Sequence, residues 1–99
     1  MRRALPTLVF FTAQTSGPAR RMESLLAHIA RKERGRLEVR RVDVDANPRL
    51  VRKFGVTQIP SLVLVVERKV AARIDGRASM PQIEQLLDEH LARVETVVA

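Results

Sequence analysis

The stretch F-G-V-T-Q-I-P-S-L-V-L-V-V, Phe54–Val66, governs how this chain is read. Its second half, Ser61–Val66, is a short run rich in aliphatic and β-branched residues. Such a run reads as a strand buried on both faces, which places it inside a layered domain rather than at its surface. Working upstream, Asn47 and Pro48 form an N-cap and first-turn pair that opens a short helix, and Gly55 closes it. Downstream, Val70–Asp75 reads as a hairpin partner. The connection Glu67–Lys69 contains neither Gly nor Asn, so turn chemistry does not fix the ends of that hairpin.

The flanks extend the pattern. Thr7–Thr12 is a second apolar, β-prone run. Met22, Leu25, Leu26 and Ile29 follow at helical spacing and form one face. Pro18 suits the start of that helix, and Lys32, Arg34 and Gly35 suit its end. Leu37–Val44 reads as a strand, with Leu37, Val39, Val42 and Val44 as its apolar positions. Ser79 and Gln82 have capping-box spacing ahead of Ile83, Leu86, Leu87, Leu91 and Val94, which predicts a C-terminal amphipathic helix. The order β-α-β-α-β-β-α implies parallel pairing across the first crossover and an antiparallel hairpin later. The expected fold is α/β: one domain over residues 1–99, a four-stranded mixed sheet with helices on both faces.

Composition narrows the chemistry. The 99 residues include no cysteine, which removes disulfides, thiol nucleophiles and thiolate metal sites. The net charge is +7, and 15 of the 18 basic residues are Arg. No leader pattern follows Arg2 and Arg3, and the longest apolar run, Leu62–Val66, is too short to span a bilayer. The expectation is a cytoplasmic protein with no membrane partner. His28 and His90 lack metal-ligand spacing, so neither metal nor cofactor is expected.

Five features in order carry a resemblance to the thioredoxin family. They are L-V-F-F-T-A (Leu8–Ala13), S-G-P-A (Ser16–Ala19), V-D-V-D-A-N-P (Val42–Pro48), F-G-V-T-Q-I-P-S (Phe54–Ser61) and a lone Gly76. The resemblance spans roughly residues 5–92 and implies a thioredoxin-like sheet starting at what would be the family's second strand, without its usual first strand and helix. It maps the family's redox motif onto Thr15, Ser16, Gly17, Pro18 and Ala19. The nucleophilic cysteine falls at Ser16, the resolving cysteine at Ala19, the buried aspartate at Phe10, a neighbouring lysine at Arg41 and the cis-proline at Pro60. The turn-forming residues are kept while the groups that move protons or electrons are replaced.

Thiol–disulfide exchange needs a thiolate and a second, resolving thiol. A serine and an alanine supply neither. Ser16 has no base in reach, because His28 lies about 18 Å along the same helix. A helix cap is the simpler role for it. The resemblance implies that Ile59 and Pro60, with Gly76, edge a groove that pairs with an extended peptide, a use that needs no sulfur. Arg20 and Arg21 flank that groove in the first helical turn, where cations do not favour the helix and an anion would be welcome. The leading expectation is therefore a redox-inactive, non-enzymatic module that binds a protein or extended peptide. The alternative is a polyanion or nucleic-acid partner on the arginine surface, which the absence of exposed stacking aromatics counts against. Two further readings are a glutathione-type ligand held by Ser16 and a thiol oxidoreductase whose cysteines were engineered to Ser16 and Ala19. Phe10 and Thr15 speak against engineering, since a two-site knock-out leaves such positions alone.

Overall fold

The computed structural model describes residues 4–91. Its elements run β1 (Thr7–Thr12), α1 (Gly17–Lys32), β2 (Glu38–Asp43), α2 (Pro48–Lys53), β3 (Ser61–Val66), β4 (Lys69–Asp75) and α3 (Met80–His90). The sheet order is β2-β1-β3-β4. β1 pairs in parallel with β2, Thr7 opposite Glu38. β3 runs antiparallel to both of its neighbours, Ser61 lying opposite Phe11 on one side and Asp75 on the other. This is the four-stranded mixed sheet expected, with the doubly buried run Ser61–Leu64 at its centre.

The two faces of the sheet are covered unequally. On one, Leu8, Phe10, Leu62 and Leu64 pack beneath Ala19, Met22, Leu26 and Ile29 of α1 and Ile83, Leu86 and Leu87 of α3. On the other, Val9, Phe11, Val42 and Val63 meet Val56, with Leu50, Val51 and Phe54 partly buried against them. The Phe11 and Phe54 rings lie 5.9 Å apart in a tilted pair, a geometry worth about 1 kcal/mol beyond the area it buries. β2 serves both layers. Val39, with Leu37 just ahead of the strand, belongs to the first cluster, and Val42, with Val44 just past it, to the second, because a step of three along a strand reverses the side it faces.

Three expectations change in detail. The hairpin turns on Glu67 and Arg68 alone, both left-handed at φ 53° and 71°, so β4 begins at Lys69 rather than Val70. Those φ values are the ones a tight two-residue hairpin demands, and they hold here without Asn or Gly because the flanking strands fix them. Asn47 occupies the N-cap position of α2 but makes no side-chain cap; its amide donates instead to the Asp43 carbonyl at 2.9 Å. β2 spans Glu38–Asp43, shorter by one residue at each end than expected. The capping box of α3 forms as read, Ser79 Oγ accepting from the Gln82 N–H while the Gln82 side chain takes the Ser79 N–H. Leu91 is buried just past the end of α3, and Val94 lies outside the described residues.

Candidate functional site

β1, β2 and β4 finish at the edge of the sheet where β3 begins, so the connections that follow Thr12, Asp43 and Asp75 gather there with the segment preceding Ser61. The segment Thr15–Ala19, onto which the resemblance maps the redox motif, and the proline segment therefore meet at one end. The Ser16 N–H closes a tight turn onto the Ala13 carbonyl at 3.1 Å, and α1 starts at once with Pro18 in its first turn. Ser16 Oγ accepts the Ala19 N–H at 3.1 Å, so the hydroxyl caps the helix, a bond worth about 1 kcal/mol. Thr15 and Gly17 are exposed, while Ala19 is fully buried in the α1 core. His28 is exposed farther along α1, and His90 on α3 faces the Leu86 carbonyl at 2.9 Å, so no imidazole serves Ser16.

The second wall is Ile59–Pro60. Their peptide bond is cis, Pro60 is fully buried, and Ile59 packs on the cluster that contains Ala19. Among the described residues the Ile59 backbone N–H and C=O have no hydrogen-bond partner. Gly76 locks this wall to the end of β4 by donating its N–H to the Pro60 carbonyl at 2.9 Å. It does so at φ +94°, and a Cβ there would sit 3.1 Å from Gln58 Oε1. Ser61 Oγ donates to the Gln58 carbonyl at 2.7 Å, fixing the turn that delivers Ile59.

The positions that the resemblance maps to proton-handling groups are apolar or engaged. Phe10 is buried in the larger core. Arg41 reaches back to α1 and donates through Nε and one terminal nitrogen to Glu23 Oε2 at 3.2 and 3.1 Å. These two, with Gln14 and Arg20, line an open cleft of ≈ 560 Å³ beside the Ser16 corner. Thr12, directly beneath that corner in the chain, is fully buried with its Oγ1 unpartnered.

Two arrangements had no signal strong enough to read in advance. Arg73 donates to the Phe54 and Gly55 carbonyls at 2.8 and 3.3 Å and to Asp75 at 3.1 Å, fastening the end of α2 to β4. The spacing Arg73–Asp75 announces a pair on one strand face, but not its target on α2. The Glu23–Arg41 bridge joins elements 18 residues apart and is equally silent in sequence. Among the described residues no group of three or more His, Asp or Glu side chains gathers as a metal site would require, and no helix is long and apolar enough to cross a membrane.

Comparison with known proteins agrees with this architecture. The Thioredoxin family model matches residues 2–89. The chain is 36% identical over 87 residues to thioredoxin C-3 of Corynebacterium nephridii, covering 88% of this chain and 59% of that protein. It is 33% identical over 86 residues to thioredoxin of Pseudomonas aeruginosa, covering 87% of this chain and 80% of the relative. It also matches the bifunctional thioredoxin reductase/thioredoxin of Mycobacterium leprae, 38% identical over 71 residues, which is 72% of this chain and 16% of that protein. A solved structure described as that of a malarial protein superposes with a TM-score of 0.82, at 24% identity, over 90% of this chain and all of the other, a likeness of fold. With the sheet, the Gly17-Pro18 corner and the Ile59–Pro60 wall in place, the chain belongs to the thioredoxin family, as a member that contains no cysteine.

Proposed function

We propose that this domain is a non-enzymatic binding module that takes an extended segment of a protein partner along the edge formed by Thr15–Ala19, Ile59–Pro60 and Gly76. The observation that carries this reading is Gly17. Its φ is not left-handed, and a Cβ added to it would meet nothing within 4 Å, so neither backbone strain nor packing requires a glycine there. A bare backbone beside the unpaired N–H and C=O of Ile59 leaves room for another chain to approach and to make main-chain hydrogen bonds. The domain needs no sulfur for this, and it has no thiolate with which to attack a disulfide. A cytoplasmic location accompanies this reading, and cell fractionation tests it.

Binding of an extended peptide should move the amide signals of Thr15, Ser16, Gly17, Ile59 and Gly76, while an insulin-reduction assay stays flat. Gly17→Val should leave the fold intact and weaken that binding about tenfold by blocking the approach. Binding unaffected by Gly17→Val would remove the groove from consideration. A second reading, a polyanion partner, draws on the net charge of +7. Retention on heparin that is lost steeply with added salt supports it, and flow-through at low salt excludes it.

A further inference from the structure

The end of the sheet that carries the groove is also where α1 and α3 begin, so the positive ends of both helix dipoles point toward it. Neither helix has an acidic residue in its first turn to offset this. Instead Arg20 closes the first turn of α1 and Arg21 opens the second, and Arg77 stands two residues ahead of the α3 cap at Ser79. All three are exposed, and none has an ion-pair partner among the described residues. The acids of this end are partly engaged: Asp75 is held by Arg73, and Asp43 Oδ1 accepts the Asp45 N–H. Several cations elsewhere have a local account, whereas Arg34, Arg49, Arg52 and Arg68 are exposed and, like these three, without an ion pair among the described residues. Lys32 pairs with Glu84, Arg36 with Glu33, Arg40 with Glu38 and Arg41 with Glu23. Arg31 sits in the last turn of α1, where the dipole favours it.

Resting on the peptide-groove reading above, we infer that the partner segment is acidic: an extended chain that runs along the Ile59 main chain and whose carboxylates meet Arg20, Arg21 and Arg77. Guanidinium–carboxylate hydrogen bonds are charge-assisted and frequently bidentate, which makes three unpaired arginines on a rim a selective feature rather than a diffuse one. A strand presents side chains alternately to its two faces, so acids at alternate positions reach one rim together. The same surface suits nucleic acid poorly. Phe10 and Phe11 are buried and Phe54 is engaged with Phe11, leaving no aromatic ring to stack a base. A second copy of this chain is disfavoured by its own charge of +7.

The test is an amide-shift titration of the protein with three probes: an end-capped peptide of alternating Glu and Thr, its Gln–Thr counterpart, and a single-stranded DNA oligonucleotide. The Glu peptide should bind on the order of tenfold more tightly than the Gln peptide at low salt, the gap closing near 1 M, where the screening length is about 3 Å. Shifts should centre on residues 15–21, 59, 76 and 77. R20Q/R21Q/R77Q should erase the preference, while R34Q, at the far end of α1, should leave it intact. Equal binding of the two peptides overturns the acidic inference and leaves the groove standing. Tighter binding of the oligonucleotide overturns it in favour of a polyanion surface. No shift with any probe overturns both the inference and the groove.

Discussion

At the carboxyl end of α1, Arg31 and Lys32 fill the last turn, and Lys32 closes a 2.9 Å bridge to Glu84 on α3. At its amino end Arg20 closes the first turn and Arg21 opens the second, with no acidic residue in that first turn and, among the described residues, no bridge from either arginine. Both pairs are cationic, and the partial charge each meets at its end of the helix is opposite. Cations at the carboxyl end complement the partial negative charge of the free carbonyls; at the amino end they oppose the free N–H groups. Folding accounts for the first pair and is mildly hindered by the second. The contrast separates a cation that serves the fold from one that serves something outside it: the latter sits where it costs stability and lacks a partner.

A probe thiol at the amino end should respond most strongly. Ser16→Cys should titrate at least one unit below the ordinary thiol value of about 8.5, because helix N–H groups and guanidiniums both favour the thiolate. Thiolate absorbance against pH measures it, and adding R20Q/R21Q should recover part of the shift. An introduced thiol that titrates near its ordinary value would mean that the amino end is not electropositive. Next in size are two substitutions at the same end. Ser16→Ala should cost about 1 kcal/mol by deleting the cap. Thr12→Val should gain about 1 kcal/mol by removing a buried hydroxyl that has no partner. Denaturant midpoints report both.

Smaller still are the charge deletions themselves. Arg20→Gln and Arg21→Gln should each raise stability by about 0.3–1 kcal/mol, and Arg31→Gln should lower it by a similar amount, with both effects fading as salt is added. Equal signs at the two ends would erase the distinction between them. The least change concerns Lys32, whose pKa is raised above 10.5, first by its hydrogen bond to Glu84 and then by the charge of that carboxylate. A raised cation contributes fully below its unfolded value and loses that contribution as pH climbs through the folded one, so the window lies above pH 10.5. Glu84→Gln should bring the Lys32 titration back toward 10.5 in an NMR pH series, with little change in stability at neutral pH.

Much of the fold could be read directly from the chain because local and tertiary preferences agree. Ser61–Val66 is a central strand by its unbroken apolar run, and α3 starts where its capping box says. The hairpin was less clear because Glu67 and Arg68 carry none of the usual turn chemistry and adopt left-handed φ under the constraint of β3 and β4. Asn47 shows the same limit, since its amide prefers the Asp43 carbonyl to the cap. At the site, the residues standing where the resemblance maps the two cysteines, Ser16 and Ala19, are read from the chain itself. Open space over Gly17, unpaired main chain at Ile59 and the pairing of Arg41 with Glu23 are visible only once the strands are brought together.

The order of residues therefore sufficed for the class of fold, because strand and helix periodicity are local, and for the absence of cysteine from these 99 residues. Which arginines are spoken for emerges only from the folded molecule. Whether a cation meets a carboxylate or faces water depends on contacts between elements far apart in the chain, such as Glu23 with Arg41 and Lys32 with Glu84. Once those pairs are subtracted, Arg20, Arg21 and Arg77 are among the arginines left without an ion pair among the described residues.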